Sequence, residues 1–484
     1  MSDGLHGLEP PLLWERFAEL TRIARPSKAE ELARQHVLAW AEARSLETRT
    51  DAEGNVVVAV PATAGRDGAP VIVLQAHLDM VCERDPNSPF DPREGRIDVR
   101  VEGDWVRAHG TTLGADNGIG VAAALAVVDD AAIDHGPLEL LFTVSEEQGL
   151  DGAKALDGSL VAGRMLVNLD GTSDEELTVG CAGSDHTLLR LPLPTEPVEA
   201  DCIVRAVELS GGLGGHSGDD IAAGRANALK ALGRVLSAAY RSVPFGLVGL
   251  DGGVSRNAIP RAARALVAVP EGGYESFRSA AETELASILR LHRGTDDGLE
   301  LSIAPAAAVG AADRSASLRA LDLLAAVPTG VLALASGRSR TVETSTCLTV
   351  AETENGVLTL GSMTRSSNAA ALDGVVASLE SLARLSGAGI EIRRSYPPWE
   401  PQRDSTLVDA ATASYERLFG VAPALTVVHG GIECAVLGQR LPGVDMVSIG
   451  PEIVGLHAPG ERVRISSTHR FYRLLGALLH DLSG

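Results

Sequence analysis

Aromatic residues make up only 3% of this 484-residue chain, and basic residues are outnumbered by acidic ones, 42 to 64, for a formal net charge of −22. A surface so acidic and so poor in stacking side chains is unsuited to following a phosphate backbone, so no nucleic acid partner is expected. No run approaches the ~18 uncharged apolar residues that a membrane-spanning helix needs, and no membrane association is expected. The opening segment, Met1 to Pro10, has neither the basic start nor the apolar stretch of a signal peptide, which points to a cytoplasmic location. The five cysteines, Cys82, Cys181, Cys202, Cys347 and Cys434, are odd in number and show no CxxC spacing. That argues against a disulfide framework or a thiolate zinc site and for buried, reduced thiols. What remains is a chain with an ordinary 45% hydrophobic share and length enough for two domains.

Helical periodicity over 11–24 and 28–45 precedes a strand at Asn55–Val60 and a second one that ends at His77. A hairpin follows from Ile97 to Ala108, turning at Glu102-Gly-Asp104, and then a small-residue helix from Ile119 to Val128. Strand Leu138–Ser145, a short helix near Leu150–Leu156 and strand Met165–Leu169 complete an alternation that predicts an α/β fold, with a mostly parallel sheet flanked by helices. From about 187 the pattern changes to an inserted α+β domain. Its expected elements are strand 203–209, a helix over 220–240, strands 245–250 and 263–269, helix 274–292, helix 316–326, strands 341–350 and 355–363, helix 368–386 and strand 389–395, which suggest two similar halves in tandem. After the Pro-rich segment Tyr396–Pro401 the α/β alternation returns, ending in strand Asp445–Ile449 and helix 466–481. The expected domains are therefore 1–186 and 399–484, two parts of one catalytic domain, around an insertion at 187–398.

The chemistry collects where these elements end. His77-Leu78-Asp79 closes one strand, Asp116 precedes a helix within Gly114-Ala-Asp-Asn-Gly, Glu146-Glu147 follows another strand, Asp170 ends a third, and His457 lies in a loop beyond a late strand. Each has an ordinary reading. A lone His after a strand is commonly a surface or core residue, Asp116 or Asn117 would serve as a helix N-cap, and the acidic pairs would be solvated turns. Taken together they gather imidazole and carboxylates at one edge of a sheet, where divalent ions bind in open α/β folds. A carboxylate with two oxygens can bridge two cations, and packing so many negative charges together costs stability unless cations offset them.

These motifs, with Gly214-Gly-His-Ser-Gly, Arg256-Asn-Ala-Ile-Pro, Asp174-Glu-Glu-Leu-Thr-Val-Gly and His429-Gly-Gly-Ile-Glu-Cys434, resemble the di-zinc metallopeptidases of the carboxypeptidase G and aminoacylase kind. Within them the likeness is strongest to the aminoacyl-histidine dipeptidases, over residues 10 to 481. The resemblance implies a zinc-peptidase-like catalytic domain with an inserted lid or dimerisation domain. It implies two divalent ions, zinc or alternatively manganese or cobalt, with His77 and Asp170 on one, Glu147 and His457 on the other, and Asp116 bridging. Asp79 would orient His77, Glu146 would act as general base and then acid, and His216 would stabilise the oxyanion. Asn257, Arg365, Gly430 and Gly431 match substrate-binding positions, Arg365 pairing a C-terminal carboxylate. The segment Gln148–Ala153 departs from the family's usual wording, which bears on the substrate more than on catalysis. The implied activity is hydrolysis of small peptides, dipeptides of the Xaa-His, carnosine-like kind, with homodimerisation where His216 acts across two copies. An amidohydrolase of N-acyl amino acids and a catalytically silent metal-binding scaffold are the rival readings.

Overall fold

The computed structural model describes residues 3–335 and 341–484. The chain divides into two units, each built on its own apolar core. The first comprises Met1–Cys181, Trp399–Val428 and Ile432–Gly484, and the second Ala182–Pro398 with His429–Gly431.

In the first unit an eight-stranded sheet runs in the order Glu47–Thr50, Val56–Val60, Leu138–Thr143, Ile72–His77, Met165–Asn168, Asp445–Ser448, Glu176–Cys181, Ala424–Val428. Pairing is parallel from Leu138–Thr143 through Asp445–Ser448, and again at the last step. The expected α/β class with a mostly parallel sheet holds. Strands Ile72–His77 and Leu138–Thr143 are buried along their whole length, as strands covered by helices on both faces are, although Gln75 and Glu139 interrupt their apolar runs. Helix Ala115–Asp129 is apolar nearly all round, and its small side chains let it fit between strand Ile72–His77 and helix Pro11–Leu20. The polar edge strand Glu47–Thr50 pairs on one side only, and its exposed Glu-Thr-Arg-Thr sequence carries no periodicity from which to expect it.

Four short antiparallel strands form a second sheet, ordered Ile453–Val454, Arg462–Arg464, Trp105–Ala108, Val99–Glu102. The expected hairpin at 97–108 supplies two of them. The other two are the arms of a second hairpin that carries His457 in its loop.

The second unit is a nine-stranded antiparallel sheet with helices Ala228–Ser242, Tyr274–Leu291, Arg314–Ala326 and Ala369–Ser386 contributing to its core. Eight strands run in the order Glu300–Pro305, Cys202–Ser210, Ala263–Pro270, Gly246–Gly252, Val342–Glu354, Val357–Ser366, Gly183–Pro192, Gly389–Tyr396, and Gly330–Leu334 also pairs with Val342–Glu354. Each half of that order is a β-α-β-β-α-β set. The second set takes its first strand, Gly183–Pro192, from before the first set, so the halves are nested where the sequence suggested tandem. They meet where Gly252 pairs with Ala351.

This nesting explains why the second unit starts at Ala182, ahead of the expected 187: Gly183–Pro192 pairs on both sides with strands of that unit. The helix expected over 220–240 is shifted to Ala228–Ser242, where the Asn227 side chain caps it by accepting from Lys230 N.

Candidate metal centre and active site

Three neighbouring parallel strands of the first unit end in the same direction, and each releases a predicted residue within a few positions. His77 is the last residue of its strand, Glu146 and Glu147 follow Thr143, and Asp170 follows Asn168. Asp116 enters from the segment that opens helix Ala115–Asp129. Its φ of −82° and ψ of 111° are non-helical, as are those of Asn117, so neither lies in the helix proper. Non-helical dihedrals would suit an N-cap, but neither side chain caps: the Asp116 oxygens face other groups, and Asn117 Oδ1 has no hydrogen-bond partner while its Nδ2 donates to Leu169 O at 2.9 Å and to Asp170 Oδ1 at 2.5 Å.

The Asp116 carboxylate faces two imidazoles with its two oxygens. His77 Nε2 lies 3.0 Å from Oδ1, and His457 Nε2 lies 3.2 Å from Oδ2. Asp170 Oδ1 is 3.6 Å from the same His77 nitrogen, and Glu147 Oε2 is 3.0 Å from His457 Nε2. Donor atoms of His77, Asp116 and Asp170 thus lie within 4.8 Å of one another, as do those of Asp116, Glu147 and His457. A third group within that span, His77, Glu146 and Glu147, places Glu146 beside both. His77 is fully buried, whereas the side chain of His457 is about half exposed, at 49%.

Asp79 links the two sides of this arrangement. Its Oδ1 lies 3.3 Å from His77 Nδ1 and accepts from Glu146 N at 3.0 Å. Its Oδ2 accepts from Glu147 N at 3.2 Å and from Ser27 Oγ at 2.7 Å. A carboxylate behind a histidine fixes its tautomer and orientation, and here the same group also sets the turn that carries both glutamates.

The protonation pattern shows how crowded the acids are. Burial pushes the Asp170 carboxyl up to about 7, helped by Asp116, and burial with Asp116 likewise raises Glu147. Burial holds Glu146 well above the usual carboxylate range. Asp116 moves down: burial alone would raise it, but hydrogen bonds to His457 and His77 outweigh that. Hydrogen bonds to Asp116 and Glu147 lift His457 to about 11. Burial would lower His77, yet Asp170 and the hydrogen bond to Asp116 raise it well above its ordinary value. Protons held in this way occupy the places that cations would take.

The residues fit a pair of divalent ions. The donors are imidazole nitrogens and carboxylate oxygens without thiolate, a set that suits zinc and also manganese and cobalt. Glu147 Oε1 is buried with no hydrogen-bond partner, an acceptor left open.

Several residues around this centre have no role in the sequence reading, although Glu433 lies within the motif His429–Cys434. Glu433 is fully buried and accepts from Gln75 Nε2 at 2.5 Å and Thr143 Oγ1 at 2.7 Å, while Asn168 Nδ2 donates to Gln75 Oε1 at 2.6 Å. This polar layer joins three strands just below the candidate ligands, and burial pushes Glu433 up to about 7. Arg25 and Glu461 are buried as well. Arg25 stands apart from every motif in sequence, whereas Glu461, an acid four residues after His457, was the one available hint.

The second unit has its own cluster. Arg365, buried on strand Val357–Ser366, reaches Tyr396 Oη from Nη1 at 3.2 Å, and its Nη2 lies 3.4 Å from His216 Nε2. His216 Nδ1 lies 2.9 Å from Asp219 Oδ2. Asn257 approaches by its backbone, Ser217 N donating to Asn257 O at 2.8 Å, while its exposed side chain accepts from Ser255 Oγ. His429 is the unexpected member: its Nε2 is 2.7 Å from Ser345 Oγ, and burial together with Arg365 pushes it down to about 4, so the ring is neutral at pH 7. Gly431 has a packing reason, since a Cβ there would sit 2.3 Å from the Tyr396 ring, whereas Gly430 has open space around it.

The model of peptidase family M20/M25/M40 matches residues 73–481. The cytosol non-specific dipeptidase of Escherichia coli (strain K12) is 37% identical over 482 residues, 99% of this chain and 99% of its own. The crystal structure of aminoacylhistidine dipeptidase from Vibrio alginolyticus matches with a TM-score of 0.87 at 35% identity, covering 98% of this chain and 97% of that one. An aminopeptidase PepT structure from Bacillus cereus shares the fold, with a TM-score of 0.57 at 16% identity over 99% of this chain and 100% of that one.

Proposed function

The chain belongs to peptidase family M20/M25/M40 and is a metal-dependent dipeptidase, and we propose that it cleaves unblocked dipeptides with a preference for the Xaa-His kind. The observation that carries the catalytic reading is Asp116, whose two oxygens face His77 and His457 separately, the disposition of a bridging ligand. In the proposed set, His77 and Asp170 hold one ion and Glu147 and His457 the other. Zinc is the proposed metal, with manganese and cobalt as alternatives that measured metal content would decide.

Such a pair supplies a Lewis acid at the scissile carbonyl and acidifies a water to near neutrality. Glu146, beside the ligands, would accept the proton of the attacking water and deliver it to the leaving nitrogen once cations draw its carboxyl down. Asp79 holds His77 and the Glu146–Glu147 turn in place. For the second unit we assign Arg365 to the C-terminal carboxylate of the dipeptide, through its planar fork, and His216 to the oxyanion. Asn257, Gly430 and Gly431 are proposed to line the substrate.

The histidine preference is supported by the name of the Vibrio relative, while the Escherichia coli relative is called non-specific. A panel of free-amine dipeptides, with and without C-terminal His, run beside N-acyl amino acids, tests both levels. Higher kcat/KM on Xaa-His dipeptides is expected. Equal rates across dipeptides would remove the preference, and activity on acylated amino acids alone would overturn the dipeptidase.

We also propose that the enzyme works in the cytoplasm, in keeping with the name of the Escherichia coli relative, and without nucleic acid. Among the described residues no helix is long and apolar enough to cross a membrane. Homodimerisation through the second unit is supported by Val331, Leu332 and Leu334, exposed on strand Gly330–Leu334. Sedimentation that finds single copies at micromolar concentration would remove it.

A further inference from the structure

Glu461 lies outside the proposed ligand set, yet it is 2% exposed and takes four successive backbone N–H groups. Its Oε2 accepts from Leu113 at 2.8 Å and Gly114 at 3.0 Å, and its Oε1 accepts from Ala115 at 2.8 Å and Asp116 at 3.3 Å. The acceptor is thus a single side chain wrapped by the segment that presents the Asp116 carboxylate. Glu461 also closes the turn that holds His457, donating its own N–H to Ala458 O at 3.1 Å, and Gly460 N donates to Thr111 O at 3.2 Å. The two imidazole-facing oxygens of Asp116 and the loop of His457 are therefore tied through one carboxylate.

Arg25, 1% exposed, completes the tie on the other side. Its Nη2 donates to Gly114 O at 2.5 Å, and its Nη1 donates to Leu78 O at 3.1 Å and Asp79 O at 2.9 Å. Gly114 has φ of +72°, and a Cβ there would stand 2.6 Å from the guanidinium and 2.6 Å from Met80 Sδ, so the segment accepts only glycine at this point. Neither buried ion has a side-chain ion-pair partner among the described contacts; each spends its charge on backbone groups that flank candidate ligands.

We infer that Glu461 is a positioning residue for the metal pair: it fixes the segment of Asp116 against the loop of His457 before any ion arrives, with Arg25 fixing the same segment against His77-Leu78-Asp79. The inference rests on the proposed ligand set. Its chemistry is acceptor count. A carboxylate offers two oxygens to four N–H groups, whereas the amide of glutamine offers one oxygen and turns an N–H₂ toward two of the donors.

The test uses the full chain, zinc as the probe, and competition against a chromogenic chelator. Wild type is expected to hold two zinc ions, and Glu461→Gln to hold the weaker one ~10–100-fold less tightly, the range for residues that orient ligands. Its turnover is expected to recover as zinc is raised, with KM for the dipeptide unchanged. Unchanged zinc affinity, or turnover that stays low at saturating zinc with a raised KM, would overturn the inference. Hydrogen exchange on zinc-stripped wild type gives a reading independent of the variant's folding. The amides of 113–116 are expected to be protected already, and exchange at the rate of an open loop would overturn the inference too. Fewer than two zinc ions in wild type would instead defeat the ligand set itself.

Discussion

The two units handle charge in opposite ways. The first gathers carboxyls in its interior: Asp79, Asp116, Glu146, Glu147, Asp170, Glu433 and Glu461 lie in or against one end of its main sheet, and burial pushes five of them upward, including Asp170 and Glu433 to about 7. The second gathers a buried guanidinium, Arg365, and an imidazole, His429, that burial and Arg365 keep neutral. An acid-rich interior is a place to hold cations and move protons; a buried guanidinium with a neutral imidazole is a place to receive an anion. On the proposed assignment this difference would separate the chemistry of the reaction from recognition of the substrate, and three substitutions probe the contrast.

The largest effect is expected at Glu146. Replacement by glutamine keeps the shape and removes the proton acceptor, so kcat should fall ~10²–10⁴-fold. Metal content measured by mass spectrometry should stay at the wild-type value. Loss of metal along with activity would make Glu146 a ligand and blur its separation from Glu147.

Next comes Arg365→Met, in which the second unit loses its anion-binding fork. KM should rise ~10–100-fold with kcat changed far less, consistent with removal of a charge-assisted pair. Steady-state kinetics on one dipeptide and its C-terminal amide read this out, the amide being nearly indifferent to the substitution. A fall in kcat with KM unchanged would put Arg365 with the chemistry and erase the contrast between units.

The smallest effect concerns stability. Because Glu433 titrates near 7 in the fold and near its ordinary 4.5 when unfolded, the folded protein holds a proton that the unfolded chain releases between those values. Its contribution is therefore complete below about pH 4.5 and is lost as pH rises to about 7, by up to ~3 kcal/mol. Glu433→Gln lacks this slope. Melting curves of the zinc-stripped proteins should show the variant gaining on wild type between pH 5 and pH 8, and a gap that does not change with pH would show that Glu433 is not a buried acid of this kind.

Much of the first unit was legible in the sequence because its strands are apolar runs that stop at charged residues. His77, Glu146, Glu147 and Asp170 each mark such a stop, so both the sheet and the edge where these side chains gather could be read from one pattern. What escaped was set by long-range contact. Glu433 and Glu461 look like ordinary surface acids until partners several hundred residues earlier bury them, and Arg25 follows a helix with nothing to single it out. His429 was visible only as part of a glycine-containing motif, because the neighbours that make it neutral, Ser345 and Arg365, come from other strands. The nesting in the second unit was hidden for a related reason: Gly183–Pro192 takes its place in the sheet from strands formed far later in the chain.

The boundary between the units has a simple form. Cys181 N donates to Trp399 O at 2.9 Å and Trp399 N to Cys181 O at 3.1 Å, so the chain leaves and re-enters the first unit through one closed pair of backbone hydrogen bonds. Almost everything between those residues is one excursion whose two ends already touch. The insertion therefore adds length without adding a gap for the first unit to close, and a short linker could take its place with little change in the loop-closure entropy of the remaining chain. Such a neck lets the inserted unit be lengthened, exchanged or rebuilt while the fold of the first unit stays unaltered.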